Sequence, residues 1–291
     1  MYPAEIDDYQ RPSTLSEALT AISNNEDGDT MLIAGGQSLM QAIKSRMIRP
    51  SCLIDLQNLT ELRGIDQSEG LRIGAMTRYV ELAQCKTLPP AYAALVDAAS
   101  HVGDRQVRNR GTIGGSVCWN YVASCMPTVV LGLGATMSLV SPEGGSRDVA
   151  AEDFIIAPFE TSREENEILV SLSWPRAPTS SGSAYKKYGL VTDALPVIGV
   201  CVSVSLGADG NCTNARVAIA GLLDGGQIVA AGGAALVGSD GNPDAIAKAM
   251  NAVVDTVEVH SDKWADTAYR QQLIRTLGAE VTTAAFSRAQ E

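Results

Sequence analysis

The sequence is poor in the residues that usually bind metals. Its 291 residues include only six cysteines and two histidines. The two closest cysteines, Cys118 and Cys125, do not form a CxxC pair. Zinc sites and iron–sulfur clusters require closer sets of ligands than this. We therefore expect reduced, mostly buried thiols and no metal in this chain.

Long apolar runs and positive charge are scarce as well. No stretch approaches the roughly 18 consecutive apolar residues that cross a bilayer, and the first 30 residues are rich in acidic side chains, unlike a signal peptide. Lysine and arginine total 22 against 33 aspartates and glutamates, a formal net charge of −11, which a nucleic-acid backbone would repel. These features predict a cytoplasmic protein with no integral membrane segment and no nucleic-acid partner.

The N-terminal third alternates signals for helices and strands. Thr14 and Glu17 have the spacing of a capping box and predict the start of a helix. Thr30–Ala34 and Cys52–Leu56 are apolar runs typical of strands, and residues 39–47 between them show helical spacing. The segment therefore predicts a small βαβ unit with parallel strands and a right-handed crossover.

The rest of the chain predicts an α+β fold with at least two domains. Residues 175–182 are rich in proline, serine and glycine, and they are the best candidate for a linker. Beyond them, Asp209-Gly210-Asn211 is a hairpin signal between two strand-like runs. The patterns predict strands at 71–75, 135–141, 167–174, 197–206 and 215–222, and helices at 92–102, 243–254 and about 264–288.

Two glycine-rich segments are candidates for ligand binding, and we predict each to be a turn near a strand end. They are Ala34-Gly35-Gly36-Gln37-Ser38 and Thr112-Ile113-Gly114-Gly115-Ser116. Paired glycines let backbone N–H groups converge on an anion such as a diphosphate, and the hydroxyl side chains add donors. Neither segment has the Rossmann or the P-loop pattern. From the pattern alone, two ordinary tight turns and one shared dinucleotide site both remain open.

Several segments resemble one known family. They are residues 33–39, 50–56 and 106–116, with weaker similarity at 71–75 and 152–154. The sequence is similar to the FAD-binding medium subunits of the molybdenum hydroxylases, of the xanthine dehydrogenase and carbon monoxide dehydrogenase type. The resemblance implies an α+β fold with a two-part FAD-binding domain of the vanillyl-alcohol-oxidase (PCMH) type. This domain would span 1–177, in parts of about 1–58 and 59–177, followed by a smaller α+β domain at 183–291 with an antiparallel sheet and helices.

The resemblance also implies a function and a set of cofactor contacts. The chain would accept electrons from 2Fe-2S clusters of a small subunit, after a hydroxylation at the molybdopterin cofactor of a large subunit. It would pass them to an external acceptor, within a dimer of heterotrimers, and the substrate would be an N-heterocycle or a related small molecule. No catalytic side chain is implied, and Lys186, followed by Asp193, would lie near the flavin. The other implied FAD contacts are Ile33, Ala34, Gly35, Gly36, Gln37, Ser38, Leu39, Thr112, Gly114, Gly115 and Ser116.

Two positions depart from the family pattern, and other functions stay open. Cys125 stands where the family usually has an acidic residue, and Ser116 stands where it usually has asparagine. A free-standing FAD-dependent reductase or oxidase on the same scaffold and an assembly protein without flavin are the alternatives. Some other residues have both a structural and a functional interpretation. A structural role is favoured for His101 and Trp119. A role at a subunit interface is favoured for the three arginines Arg105, Arg108 and Arg110.

Overall fold

The computed structural model describes residues 4–24, 29–191 and 194–291, so Asp193 lies outside the described residues. Its strands are β1 (Asp8–Gln10), β2 (Thr30–Ile33), β3 (Cys52–Asp55), β4 (Ile65–Asp66), β5 (Leu71–Gly74), β6 (Thr136–Val140), β7 (Ser146–Ala150), β8 (Ile155–Ala157), β9 (Glu160–Thr161), β10 (Ile168–Trp174), β11 (Ser181–Tyr188), β12 (Ile198–Leu206), β13 (Cys212–Ala220) and β14 (Gln227–Ile228). Its α-helices are α1 (Leu15–Ser23), α2 (Leu39–Lys44), α3 (Tyr79–Ala83), α4 (Ala93–Ser100), α5 (Arg105–Arg110), α6 (Ile113–Trp119), α7 (Cys125–Leu133), α8 (Ala151–Phe154), α9 (Ala230–Leu236), α10 (Pro243–Thr256) and α11 (Thr267–Ala289).

The N-terminal segment forms the predicted βαβ unit. The parallel strands β2 and β3 pair from Thr30 opposite Cys52 to Ile33 opposite Asp55, and α2 connects them. β1 adds a third parallel strand on the other side of β3. Thr14 caps α1 as predicted, because its hydroxyl accepts a hydrogen bond from the N–H of residue 17 at 3.2 Å.

The chain divides into two compact units that do not follow the order of the sequence. The first consists of Met1–Tyr79, Arg105–Trp119 and Ala135–Pro175, and the second of Val80–Asp104, Asn120–Gly134 and Arg176–Glu291. Two helices that precede residue 177, α4 and α7, therefore belong to the unit of the C-terminal sheet. The division into 1–177 and 183–291 stays a prediction about sequence domains.

The first unit contains the parallel sheet and an antiparallel sheet. The antiparallel strands have the order β4-β5-β10-β6-β7, and β8 and β9 form a separate hairpin. The face of the parallel sheet under α2 is packed by a small core of Ile33, Leu39, Ile43 and Leu53. The loop after β2 is therefore held between two buried apolar residues, Ile33 and Leu39.

The second unit is built on an antiparallel sheet with the order β11-β12-β13-β14. The hairpin predicted at Asp209-Gly210-Asn211 connects β12 and β13. β10 ends at Trp174 and β11 begins at Ser181, so residues 175–180 of the predicted linker connect two strands, whereas Ser181 and Gly182 belong to β11. Helices α10 and α11 bury apolar residues such as Met250, Val253, Ile274 and Phe286 in the core of this sheet.

All six cysteines are free thiols. Four of them, Cys52, Cys125, Cys201 and Cys212, are buried, as the sequence predicts.

Candidate functional site

The first glycine segment lies at the carboxyl edge of the parallel sheet. β2 ends at Ile33, opposite the last residue of β3, and α2 begins at Leu39. Gly36 has a φ of +71°, a conformation that side chains with a Cβ rarely adopt. Ile33 and Leu39 are buried, whereas Gln37 and Ser38 are exposed. The middle of the loop thus lies at the surface, and the residues at its two ends, Ile33 and Leu39, are packed in the core.

The N–H groups of this loop are available to a ligand. Those of residues 35–38 donate no hydrogen bond to any residue that the structure describes. The Gln37 side chain turns back and donates to the Gly35 carbonyl at 3.1 Å. In this exposed loop water can satisfy these donors, and a run of them at a glycine pair is also suited to bind an anion in place of that water.

The second glycine segment is a helix start, and the prediction of a turn is wrong for it. Residues 113–119 form α6, and the Thr112 hydroxyl caps it by accepting the Gly115 N–H at 3.1 Å. The Gly114 N–H donates to the Ala75 carbonyl at 2.9 Å. A Cβ on Gly114 would lie 2.6 Å from the Ala75 Cβ. Glycine is required here because the helix touches the chain that follows β5.

The two glycine segments lie against each other. A Cβ on Gly35 would come within 2.7 Å of the Gly111 Cα, and closer still to the Arg110 carbonyl oxygen. A Cβ on Gly115 would lie 3.3 Å from the Cβ of Ala34. The fold therefore brings together segments that are far apart in the sequence, which a shared site requires.

Two serine hydroxyls of these segments are unpaired. Ser38 and Ser116 are at least partly exposed, and their side chains form no hydrogen bond within the described part of the chain. Ser116, which stands where the family usually has asparagine, can therefore still donate to a ligand or accept from one. Thr112, by contrast, already uses its hydroxyl oxygen in the cap of α6.

Lys186 and its neighbour have different environments in the second unit. Lys186 is exposed on β11 and forms an ion pair with Glu280 on α11. Lys187 is partly buried, and its ammonium donates to the Ala194 carbonyl at 2.5 Å. The two-residue period of a strand explains the difference, because it sends neighbouring side chains to opposite faces. The assignment of Lys186 to the flavin stays a prediction.

Cys125 is buried at the start of α7. Burial raises the pKa of its thiol, and the charge of Lys187 opposes this shift only in part. Burial also raises the pKa of Tyr185, and the neighbouring Cys125 thiol adds to that shift. A neutral thiol thus occupies the position where the family usually has a carboxylate.

His101 and Trp119 have structural contacts in this fold, and two of the three candidate arginines are exposed. His101 ends α4 and its Nδ1 lies 2.7 Å from the Asp97 carbonyl oxygen, within the same turn. The Trp119 ring packs edge-on against Phe159, with ring centroids 5.7 Å apart, and against the core beneath α2. Arg105 and Arg110 are the two ends of α5, and both are exposed.

The sequence matches two family models in succession. Residues 4–177 match the model described as "FAD binding domain in molybdopterin dehydrogenase". Residues 183–285 match the model described as "CO dehydrogenase flavoprotein C-terminal domain". The two matches together cover most of the chain.

Relatives and solved structures agree with these matches. The alpha subunit of the 6-hydroxypseudooxynicotine dehydrogenase complex of Paenarthrobacter nicotinovorans is 31% identical over 97% of this chain and 95% of that protein. The carbon monoxide dehydrogenase medium chain of Hydrogenophaga pseudoflava is 29% identical over 97% of both chains. A structure of that bacterium's carbon monoxide dehydrogenase aligns with a TM-score of 0.91 over 99% of both chains. Quinoline 2-oxidoreductase from Pseudomonas putida 86 aligns with a TM-score of 0.90 and 29% identity over 100% of both chains.

Within the described ranges, no helix is both long enough and apolar enough to span a membrane.

Proposed function

Because this chain belongs to the FAD-binding medium subunits of the molybdenum hydroxylases, we propose that its two glycine segments hold FAD and that the chain carries electrons between partner subunits and an external acceptor. The observation that carries the proposal is the contact between the two segments. Gly35 packs on the backbone of residues 110 and 111, just before the second segment, and Gly115 lies against Ala34, so one ligand can touch both segments.

The loop after β2 is suited to the diphosphate of FAD. The N–H groups of residues 35–38 have no partner among the described residues, and a diphosphate offers several anionic oxygens to such donors. The hydroxyls of Ser38 and Ser116 add two donors. The family resemblance extends the contacts to Ile33, Ala34, Leu39 and Thr112, of which the buried ones can contribute through their backbones.

The cofactor and the protein have different roles in this proposal. When bound, FAD supplies a redox function that no side chain of this protein has. The chain itself binds the diphosphate, fixes the orientation of the cofactor and sets the charge around it. A general acid or base is not required for this task.

The partners in this proposal come from the family. We propose a small subunit with 2Fe-2S clusters and a large subunit with the molybdopterin cofactor, assembled as a dimer of heterotrimers. The names of two similar proteins refer to 6-hydroxypseudooxynicotine and to quinoline. They support an N-heterocycle or a related small molecule as the substrate of the whole enzyme, which the large subunit would bind.

Purification of the full chain with its genomic neighbours tests the function. We expect a yellow complex with one FAD per copy of this chain, together with a small iron–sulfur subunit and a large molybdenum subunit. The measurement is the flavin content after acid release, combined with the subunit composition. A chain that turns over its own substrate without partners, or a complex without flavin, would refute the proposal.

The assignment of a lysine is tested by a matched pair of variants. A cation beside the cofactor stabilises the negative charge of its reduced form, so its loss makes the reduction potential more negative by roughly 30 mV, or about 1.4 kcal/mol for a two-electron couple. The resemblance assigns this role to Lys186, which is exposed and pairs with Glu280. We therefore expect the shift in Lys186→Gln in a spectroelectrochemical titration, with Lys187→Gln as its control, because the Lys187 ammonium donates to the Ala194 carbonyl. A potential that stays unchanged in Lys186→Gln would contradict the assignment that the resemblance gives.

A further inference from the structure

Arg110 is placed beside the loop proposed to bind the diphosphate. It is the last residue of α5, and its carbonyl oxygen lies directly under Gly35, where a Cβ would collide with it. The side chain is exposed and forms no hydrogen bond or ion pair within the described ranges. The cationic side chain of Arg110 is thus attached to the backbone at the place where Gly35 packs against residues 110 and 111.

The buried carboxylate at the same edge of the sheet is already satisfied by other groups. Asp55 is 2% exposed, stands opposite Ile33, and accepts hydrogen bonds from the Tyr9 hydroxyl and, at 2.9 Å, from the Gln57 N–H. The Arg11 Nε lies 3.6 Å from the same carboxylate. Asp55 therefore does not hold the side chain of Arg110.

Tyr9 locates the Arg110 guanidinium near this edge. The hydrogen bond to Asp55 raises the pKa of Tyr9, and the charges of Arg11 and Arg110 act against this shift. The Tyr9 hydroxyl is held at this edge by its bond to Asp55, which stands opposite Ile33 at the end of β2. The charge of Arg110 therefore acts close to the strand end from which the loop at residues 34–38 begins.

We propose that Arg110 binds the diphosphate of FAD and supplies the positive charge that the glycine loop lacks. The inference rests on the proposed function. The four N–H groups of residues 35–38 are neutral donors, and the loop itself contains no basic side chain. A guanidinium pairs with two phosphate oxygens at once in a fixed geometry, which a lysine does not reproduce.

The experiment is a titration of the flavin-free full chain with FAD and with riboflavin, which has no phosphate. In Arg110→Gln, FAD affinity is expected to fall at least about tenfold, the size of one charge-assisted hydrogen bond, and riboflavin affinity to stay unchanged. Raising the salt concentration should weaken FAD binding less in this variant than in the unchanged protein. The FAD affinity of Arg110→Lys should lie between those of Arg110→Gln and the unchanged protein, because lysine keeps the charge but does not pair with two phosphate oxygens in a fixed geometry.

Arg105→Gln is the matched control, since it removes the same charge from the other exposed end of α5. Its FAD affinity should stay within about twofold of the unchanged protein, the range of a surface substitution. The proposal is overturned if Arg110→Gln and Arg105→Gln bind FAD with the same affinity. This holds also if Arg110→Gln no longer binds the partner subunits, because Arg110 would then serve the interface and not the diphosphate. It is also overturned if FAD and riboflavin affinities fall equally. Failure of the unchanged chain to bind FAD would refute the proposed function itself.

Discussion

Replacing Gly35 by alanine is expected to abolish most FAD binding. The new Cβ would lie within 2.7 Å of the Gly111 Cα and would overlap the Arg110 carbonyl oxygen. Both are backbone atoms, so one of the two segments must move. Overpacking of this kind costs about 1 to 3 kcal/mol, and here it displaces the loop whose N–H groups must converge. We expect FAD affinity to fall at least about tenfold, measured by titration of the full chain with FAD.

Gly145→Ala is the control for this substitution. Gly145 is exposed in the turn between β6 and β7, and its new Cβ would meet only the flexible Ser141 side chain, at 3.1 Å. FAD affinity and thermal stability should stay close to those of the unchanged protein, within about 0.5 kcal/mol. If Gly35→Ala and Gly145→Ala bind FAD equally well, the contact between the two glycine segments does not shape the site.

Replacing Arg270 by methionine is expected to destabilise the second unit strongly. The Arg270 guanidinium is 3% exposed and donates to the carbonyls of Val197 and Gly221, at 2.6 and 3.1 Å. It also donates to the Asp262 carboxylate at 2.6 Å. Methionine fills a similar volume but leaves three acceptors without their donor, at a cost of about 3 kcal/mol. We expect the melting temperature to fall by about 6 to 12 °C, measured by circular dichroism.

Arg275→Met is the matched control on the same helix. Arg275 is partly exposed and donates a single hydrogen bond to the Asn251 side chain, at 2.9 Å. Water can replace that donor, so the loss of stability should be about 0.5 kcal/mol or less. Equal melting temperatures for the two variants would contradict the role given to Arg270, which is to join α11 to the ends of β12 and β13.

The comparison of the two glycine segments shows where prediction from sequence succeeds and fails. The first segment is a loop between a strand and a helix, as the apolar runs on both sides predict. The second is the start of α6, although glycine disfavours helices. Ala75 and Thr112 decide this case, since they supply the contact and the cap. Thr112 is a local capping signal, but Ala75 is far from the segment in the sequence, so local propensity does not contain its contact.

The lysines of β11 illustrate a second limit. Both lie in a segment that resembles a segment of the family. The sequence alone does not tell how far either side chain lies from other residues. The strand bounds and the position of α11 place Lys186 next to Glu280 and leave Lys187 partly buried. Likewise, α4 and α7 belong to the second unit because their packing partners are strands of the C-terminal sheet.

The sequence alone determined the family, the α+β class and the residue types of the site, because glycines, hydroxyls and apolar periodicity are properties of short segments. Only the tertiary structure decided that Gly35 lies on the backbone of residues 110 and 111 and that Arg110 is left without a partner among the described residues. The physical reason is that a cofactor is held by groups from separate segments. The distances between these groups depend on how the strands and helices pack. This packing is determined by contacts between residues that are far apart in the chain.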